Sequence, residues 1–140
     1  MADQKTLEKL MKTAIEMTKM SYAPYSGFQV GAALLAKDGR IFTGCNVENA
    51  AFSPTNCAER TAFFKAVSEG AREFEAIAIA GGKNGVLTEP IAPCGVCRQV
   101  MMEFCNPKTF EIYMAADSEH FEKTTLEKLL PNGFGPANLA

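Results

Sequence analysis

The chain has 140 residues, 47% of them apolar and 21% charged, with a net charge of −2. That is enough for one folded core of ordinary soluble composition. The weak negative charge argues against a phosphate-tracking nucleic-acid surface, which needs a basic stripe, and no apolar run approaches the roughly 20 residues of a membrane helix.

We therefore expect a single domain spanning residues 1–140, with neither nucleic acid nor membrane as partner. Met1 is followed by the polar run Ala2-Asp3-Gln4-Lys5, which lacks the apolar stretch and small-residue cleavage site of a signal peptide. The cysteines are Cys45, Cys57, Cys94, Cys97 and Cys105. An odd set without a secretion signal fits reduced thiols and metal ligation better than a disulfide framework, so a cytoplasmic location is expected.

Thr6 to Met20 repeats Leu7, Leu10, Met11, Ala14 and Ile15 at helical spacing, which predicts an amphipathic helix with one buried stripe. Pro24 and Gly27 break it. Phe28 to Ala36 and Ile41 to Val47 read as a hairpin around Asp38-Gly39, since glycine accepts φ > 0 in the turn. Gly31 inside the first strand predicts a bulge or a close backbone approach. Asn49 to Asn56 is a polar connection delivering the chain to Cys57.

A second helix follows from Ala58 to Glu69, closed by Gly70, and then a buried strand from Phe74 to Ala80. Gly81 to Ala92 reads as an irregular loop, Gly95 to Phe104 as a helix stopped at Asn106-Pro107, and Phe110 to Ala115 as a strand. His120 to Lys123 reads as a short edge strand, and Thr124 or Thr125 caps a small helix carrying Leu126, Leu129 and Leu130. This order predicts an α/β fold, a three-layer α/β/α sandwich on a mixed sheet of about five strands.

Two stretches carry the chemistry, Cys57-Ala58-Glu59-Arg60 and Pro93-Cys94-Gly95-Val96-Cys97. Cys94 and Cys97, three apart in a first helical turn, project to one side, and Cys57 opens the preceding helix. Helix N-termini stabilise thiolates. Three sulfurs suit Zn²⁺ (one per chain), and three protein ligands with one open position mark a catalytic zinc. Glu59, two residues from a ligand, is placed to move protons, and Arg60 can offset the negative charge of three thiolates. Cys-x-Glu followed by Pro-Cys-x-x-Cys is the three-cysteine form of the zinc nucleobase-deaminase signature.

With these motifs the sequence closely resembles the small, homotetrameric zinc cytidine deaminases. The resemblance runs from Tyr22-Ala23-Pro24-Tyr25-Ser26 to Leu129-Leu130-Pro131. It includes Phe28-Gln29-Val30-Gly31-Ala32-Ala33, Gly44-Cys45-Asn46-Val47-Glu48-Asn49-Ala50 and the late Phe134-Gly135-Pro136. It implies hydrolytic conversion of cytidine or deoxycytidine to uridine or deoxyuridine with release of ammonia, in pyrimidine salvage. Cys57, Cys94 and Cys97 would bind zinc, and Glu59 would shuttle protons. Asn46 and Glu48 would hydrogen-bond the ribose 3′-hydroxyl, Phe28 would pack on the pyrimidine, and backbone around Ala58 and Pro93 would hold the base edge. Phe134 would reach a neighbouring subunit's pocket, so that a homotetramer shares its sites. Two departures bear on substrate choice. Phe52 stands where family members often carry Tyr, and the 81–92 loop is a few residues longer than in the compact members.

Other readings stay open at this point. Cys45, Cys105 or His120 could close a structural zinc, giving a zinc-stabilised module without catalysis. The CxxC could be a redox pair, though that ignores Cys57 and Glu59. Asn46 and Glu48 could be a solvated strand edge, and Phe28 and Phe134 core or contact residues. The substrate could also be a related cytosine nucleoside such as blasticidin S.

Overall fold

The computed structural model describes residues 2–140, and its helices and strands follow from local signals that the sheet then reinforces. The first helix, α1 (Gln4–Met17), starts where the Asp3 carboxylate accepts the Thr6 N–H at 2.8 Å, a cap for an otherwise orphaned donor. A 3₁₀ turn at Thr18–Met20 continues it. Strands β1 (Phe28–Ala36) and β2 (Ile41–Cys45) form the expected hairpin, with Gly39 at φ 95°. Then come α2 (Ala58–Ser68), β3 (Phe74–Lys83), α3 (Gly95–Phe104), β4 (Glu111–Ala115), β5 (Phe121–Thr125) and the single-turn α4 (Leu126–Leu129).

The five strands form one sheet in the order β2-β1-β3-β4-β5. Only β3 and β4 pair in parallel, while β1–β2, β1–β3 and β4–β5 are antiparallel. Since β1 runs opposite to both its neighbours, β2 and β3 are parallel across it. Helices α2 and α3 are therefore each the crossover of a β-α-β unit.

Alternation along the strands feeds two cores. Ala32, Leu34, Ile77, Ile79, Ile112 and Met114 face α2 and α3, where Phe63 is fully buried among Phe74, Phe104 and Phe110. Ala33, Leu35, Ala76, Ala78 and Ala115 face α1 through Leu10, Met11 and Ala14. The predicted three-layer α/β/α sandwich is the observed one. Burying each large side chain contributes roughly 1.5–3 kcal/mol before the cost of ordering it.

The α1 face is lined with small residues, and this brings the helix close. A Cβ on Gly31 would lie 2.1 Å from the Ala14 carbonyl oxygen, so the glycine marks a close approach and not a bulge. Gly44 does the same on the opposite face. Its Cβ would sit 2.3 Å from the Ala58 carbonyl oxygen, so the start of α2 rests directly on β2.

Several boundaries differ from the sequence reading, and two of them bear on the site. Strand β3 runs on through Gly81 and Gly82 to Lys83, because β1 pairs with it as far as Phe28 opposite Lys83. Gly82, lacking a side chain, lets the Val86 carbonyl turn back onto it. Strand β2 stops at Cys45 and not at Val47. The Asn46 side chain takes over there, accepting the Val30 N–H at 2.9 Å and donating to the Phe28 carbonyl at 2.7 Å.

Candidate metal centre

Crossovers α2 and α3 start at the same end of the sheet, and their first residues meet. Cys57 is the N-cap of α2 and Cys94 the N-cap of α3, both with extended backbone, and Cys97 lies in the first turn of α3. Neither cap makes the usual side-chain hydrogen bond, since each carries sulfur. The three Sγ atoms lie within 4.8 Å of one another, Cys57–Cys94 at 3.8 Å and Cys94–Cys97 at 3.5 Å. Tetrahedral zinc with 2.3 Å bonds needs sulfurs about 3.8 Å apart. The cluster fits that ion.

Arg60 stands over the sulfurs. Its Nη2 donates to Cys57 Sγ at 3.1 Å, and its Nε is buried with no protein acceptor, so the guanidinium is turned toward the cluster. The Cys97 thiol and Arg60 lower the Cys57 pKa to about 5, against the opposing effect of burial. The hydrogen bond to Cys57 and burial hold the Cys97 thiol up, so the two thiols titrate as one pair. A metal binding here would displace the thiol protons.

No other side chain of the described residues joins the group. The Cys45 thiol donates to the Met20 carbonyl at 3.4 Å, burial raises the Cys105 thiol, and exposed His120 pairs with Asp117 at 2.8 Å. The closed structural zinc thus loses its three candidate fourth ligands.

Glu59 is only 5% exposed. Burial pushes its carboxyl up to about 7, with the Cys57 charge acting the same way and a hydrogen bond from Cys97 opposing it. A carboxyl at that value exchanges protons readily near neutral pH. It lines a cavity of about 280 Å³ together with Cys57, Ala58 and Cys94 and with Phe28, Asn46 and Glu48. The volume suits a small polar molecule, not a folded polymer.

Most of the residues singled out from the sequence converge here, but two lie apart. Pro93 is buried outside the cavity lining, with its carbonyl accepting Arg98 Nε at 2.7 Å. Phe134 is 58% exposed and held by its backbone, which accepts Gln99 Nε2 at 2.7 Å, so it does not enter its own chain's cavity. The lining also includes Ser26, Val30, Thr55, Asn56, Ile91 and Ala92, none of them in a motif assigned to chemistry. Ile91 and Ala92 bring the loop that follows β3 to the cavity wall. Phe52 is exposed at φ 61° and meets Tyr25 edge to face at 6.2 Å, beside Glu48 at the rim.

Residues 4–114 match the family described as the cytidine and deoxycytidylate deaminase zinc-binding region. The chain belongs to this family. It is 50% identical to a cytidine deaminase of Sporosarcina psychrophila, over 96% of this chain and 95% of that protein. To a cytidine deaminase of Halalkalibacterium halodurans it is 47% identical, over 91% and 92%. A crystal structure of cytidine deaminase from Burkholderia pseudomallei superposes with TM-score 0.82 and 47% identity, over 90% of this chain and 97% of that one. The family's zinc-binding region contains the three-cysteine cluster, and the donor set and spacing found here are those of a zinc site. No helix among the described residues is long and apolar enough to cross a membrane.

Proposed function

We propose that this chain is a zinc-dependent hydrolase that converts cytidine and deoxycytidine to uridine and deoxyuridine, releasing ammonia. The observation that carries this reading is one cavity lined by the buried Glu59, by Asn46 and Glu48, and by two sulfurs of the three-thiol cluster, Cys57 and Cys94. Cys57, Cys94 and Cys97 would hold the zinc, which supplies a Lewis acid that makes water nucleophilic near neutral pH.

Glu59 accepts a proton from the attacking water and passes it to N3 of the pyrimidine, opening C4 to addition. Glu59 then takes the remaining proton of the added hydroxyl at C4 and gives it to the departing amine. The C4–N bond breaks, a C4 carbonyl forms, and ammonia leaves. The Ala58 backbone faces the base edge, and Phe28 offers its ring to the pyrimidine. The backbone around Pro93 would hold the base edge with that of Ala58, and Arg98 steadies that segment by donating to the Pro93 carbonyl at 2.7 Å. Asn46 and Glu48 accept the sugar, and nucleosides lacking the hydroxyl leave those groups unpaired. Arg60 offsets the charge of the thiolates.

The same reading extends to the whole chain as one domain working in pyrimidine salvage in the cytoplasm, and to a homotetramer in which Phe134 completes a neighbour's cavity. Its outward, exposed position supports that. Light scattering on the purified protein measures the assembly, and a monomer with full activity would remove Phe134 from the site.

The test of function is ammonia release on incubation with cytidine, deoxycytidine, cytosine and cytosine nucleotides. Turnover of the two nucleosides alone is the expected result, and inactivity of zinc-loaded protein refutes it. Glu59→Gln should retain zinc and fold while turnover drops by on the order of 10²–10⁴. Near-normal turnover would take Glu59 out of the reaction.

A further inference from the structure

We propose that Ser26 is the positioning residue that orients the Glu48 carboxylate for the sugar and ties it to the start of β1. This rests on the reading of Glu48 as the sugar acceptor. The hydrogen bonds around Ser26 and Glu48 carry it. The Ser26 hydroxyl donates to Glu48 Oε2, and its backbone N–H donates to Oε1 at 3.0 Å, alongside the Tyr25 N–H at 3.0 Å. The same hydroxyl accepts the Phe28 N–H at 2.9 Å, so one oxygen links the carboxylate to the residue carrying the aromatic face. Ser26 itself lines the cavity.

The loop that carries it is fixed from both sides. Gly27 sits at φ 69° and donates to the Ala23 carbonyl at 2.9 Å, a turn that a side chain would strain. The end of β3 then holds the loop down, with Asn84 N–H donating to the Gly27 carbonyl at 2.6 Å and Lys83 Nζ to the Ser26 carbonyl. Extension of β3 through Gly81-Gly82 is what brings Lys83 and Asn84 there.

A carboxylate is an acceptor at all its lone pairs, and an unrestrained Glu side chain must be ordered when a hydroxyl docks. Here three donors order it beforehand. The Ser26 hydroxyl and N–H also hold the Glu48 pKa below the usual range, so the acceptor is charged. Ser26 therefore acts on sugar binding through Glu48 and leaves proton transfer at Glu59 alone.

The experiment compares cytidine with its 3′-deoxy analogue on the zinc-loaded parent, Ser26→Ala, Ser26→Thr and Glu48→Ala. Ser26→Ala should raise KM for cytidine roughly five- to tenfold with kcat little changed, and shrink the parent's preference for the hydroxylated substrate by a similar factor. Ser26→Thr, which keeps the hydroxyl, should restore both. Loss of stability alone would not move that preference. If Glu48→Ala abolishes the preference while Ser26→Ala leaves it intact, the assignment of Ser26 is overturned and the sugar role of Glu48 stands. If Glu48→Ala itself leaves the preference intact, both are overturned. Should the alanine variant not fold, the Ser26→Thr and Ser26→Val pair, alike in shape and differing in the hydroxyl, gives the same comparison.

Discussion

Replacing Gly44 with alanine should damage the metal centre without touching a residue of it. The added Cβ would lie 2.3 Å from the Ala58 carbonyl oxygen and 2.6 Å from the Ala62 nitrogen. Both are backbone atoms, so no rotamer change relieves the clash. Ordinary contact begins at 3.4 Å, so the first turn of α2 must retreat by about 1 Å. Cys57 and Glu59 flank Ala58 and must move with it. Zinc–ligand distances tolerate only about 0.2 Å, so the retreat costs more than the site can absorb, and zinc affinity should fall at least about 10- to 100-fold. Overpacking should also lower stability by about 1–3 kcal/mol.

A matched control separates the two effects. Gly31→Ala places its Cβ 2.1 Å from the Ala14 carbonyl oxygen and 2.6 Å from the Thr18 nitrogen, a clash of the same size against α1, which bears none of the site. Competition with a chromophoric chelator gives zinc affinity, and urea unfolding of metal-free protein gives stability. Gly44→Ala should lose both, and Gly31→Ala only stability. Equal zinc affinity in Gly44→Ala and parent, or equal losses in both variants, would refute the argument that β2 seats the ligands.

Arg60→Ala should weaken zinc binding, because the Cys57 sulfur loses a donor at 3.1 Å and three thiolates lose their nearest cation. An unchanged chelator competition curve would dismiss that role. Asn46→Ala should cost about 1–3 kcal/mol in urea unfolding as well as raise KM, since the Val30 N–H and the Phe28 carbonyl lose their bonds to its side chain. Glu48→Ala should raise KM with little effect on the unfolding midpoint. Similar unfolding curves for the two variants would contradict the division of labour between them.

The sequence foretold the elements whose ends are set locally. Strand β1 and helix α3 have the bounds predicted, one closed by Asp38-Gly39, the other opened by Pro93-Cys94 and stopped by Asn106-Pro107. Ends set by tertiary pairing were not legible. Gly81-Gly82 reads as a break by propensity, yet pairing with β1 carries the strand through it. Asn46 reads as a strand residue, yet its amide replaces the ladder and ends β2.

The site divides in the same way. Spacing paired Cys57 with Glu59 and Cys94 with Cys97, because a first helical turn leaves little freedom in where its side chains go, and the deaminase signature joined the two pairs. Ser26 closes a motif of the resemblance but its role was not legible, since its partners Glu48 and Phe28 become neighbours only once the loop folds against β3. The backbone around Pro93 was read as holding the base edge, and the hydrogen bond from Arg98 to its carbonyl was not legible in the sequence.

X-ray absorption at the zinc edge of substrate-free protein tests the central claim most directly, because it counts the metal's neighbours by type. The arrangement of Cys57, Cys94 and Cys97 predicts three sulfur scatterers near 2.3 Å and one lighter oxygen scatterer from solvent near 2.0 Å. Four sulfurs, or three with an imidazole, would mean the chain closes its own metal site, and the deaminase reading of this cavity would fail.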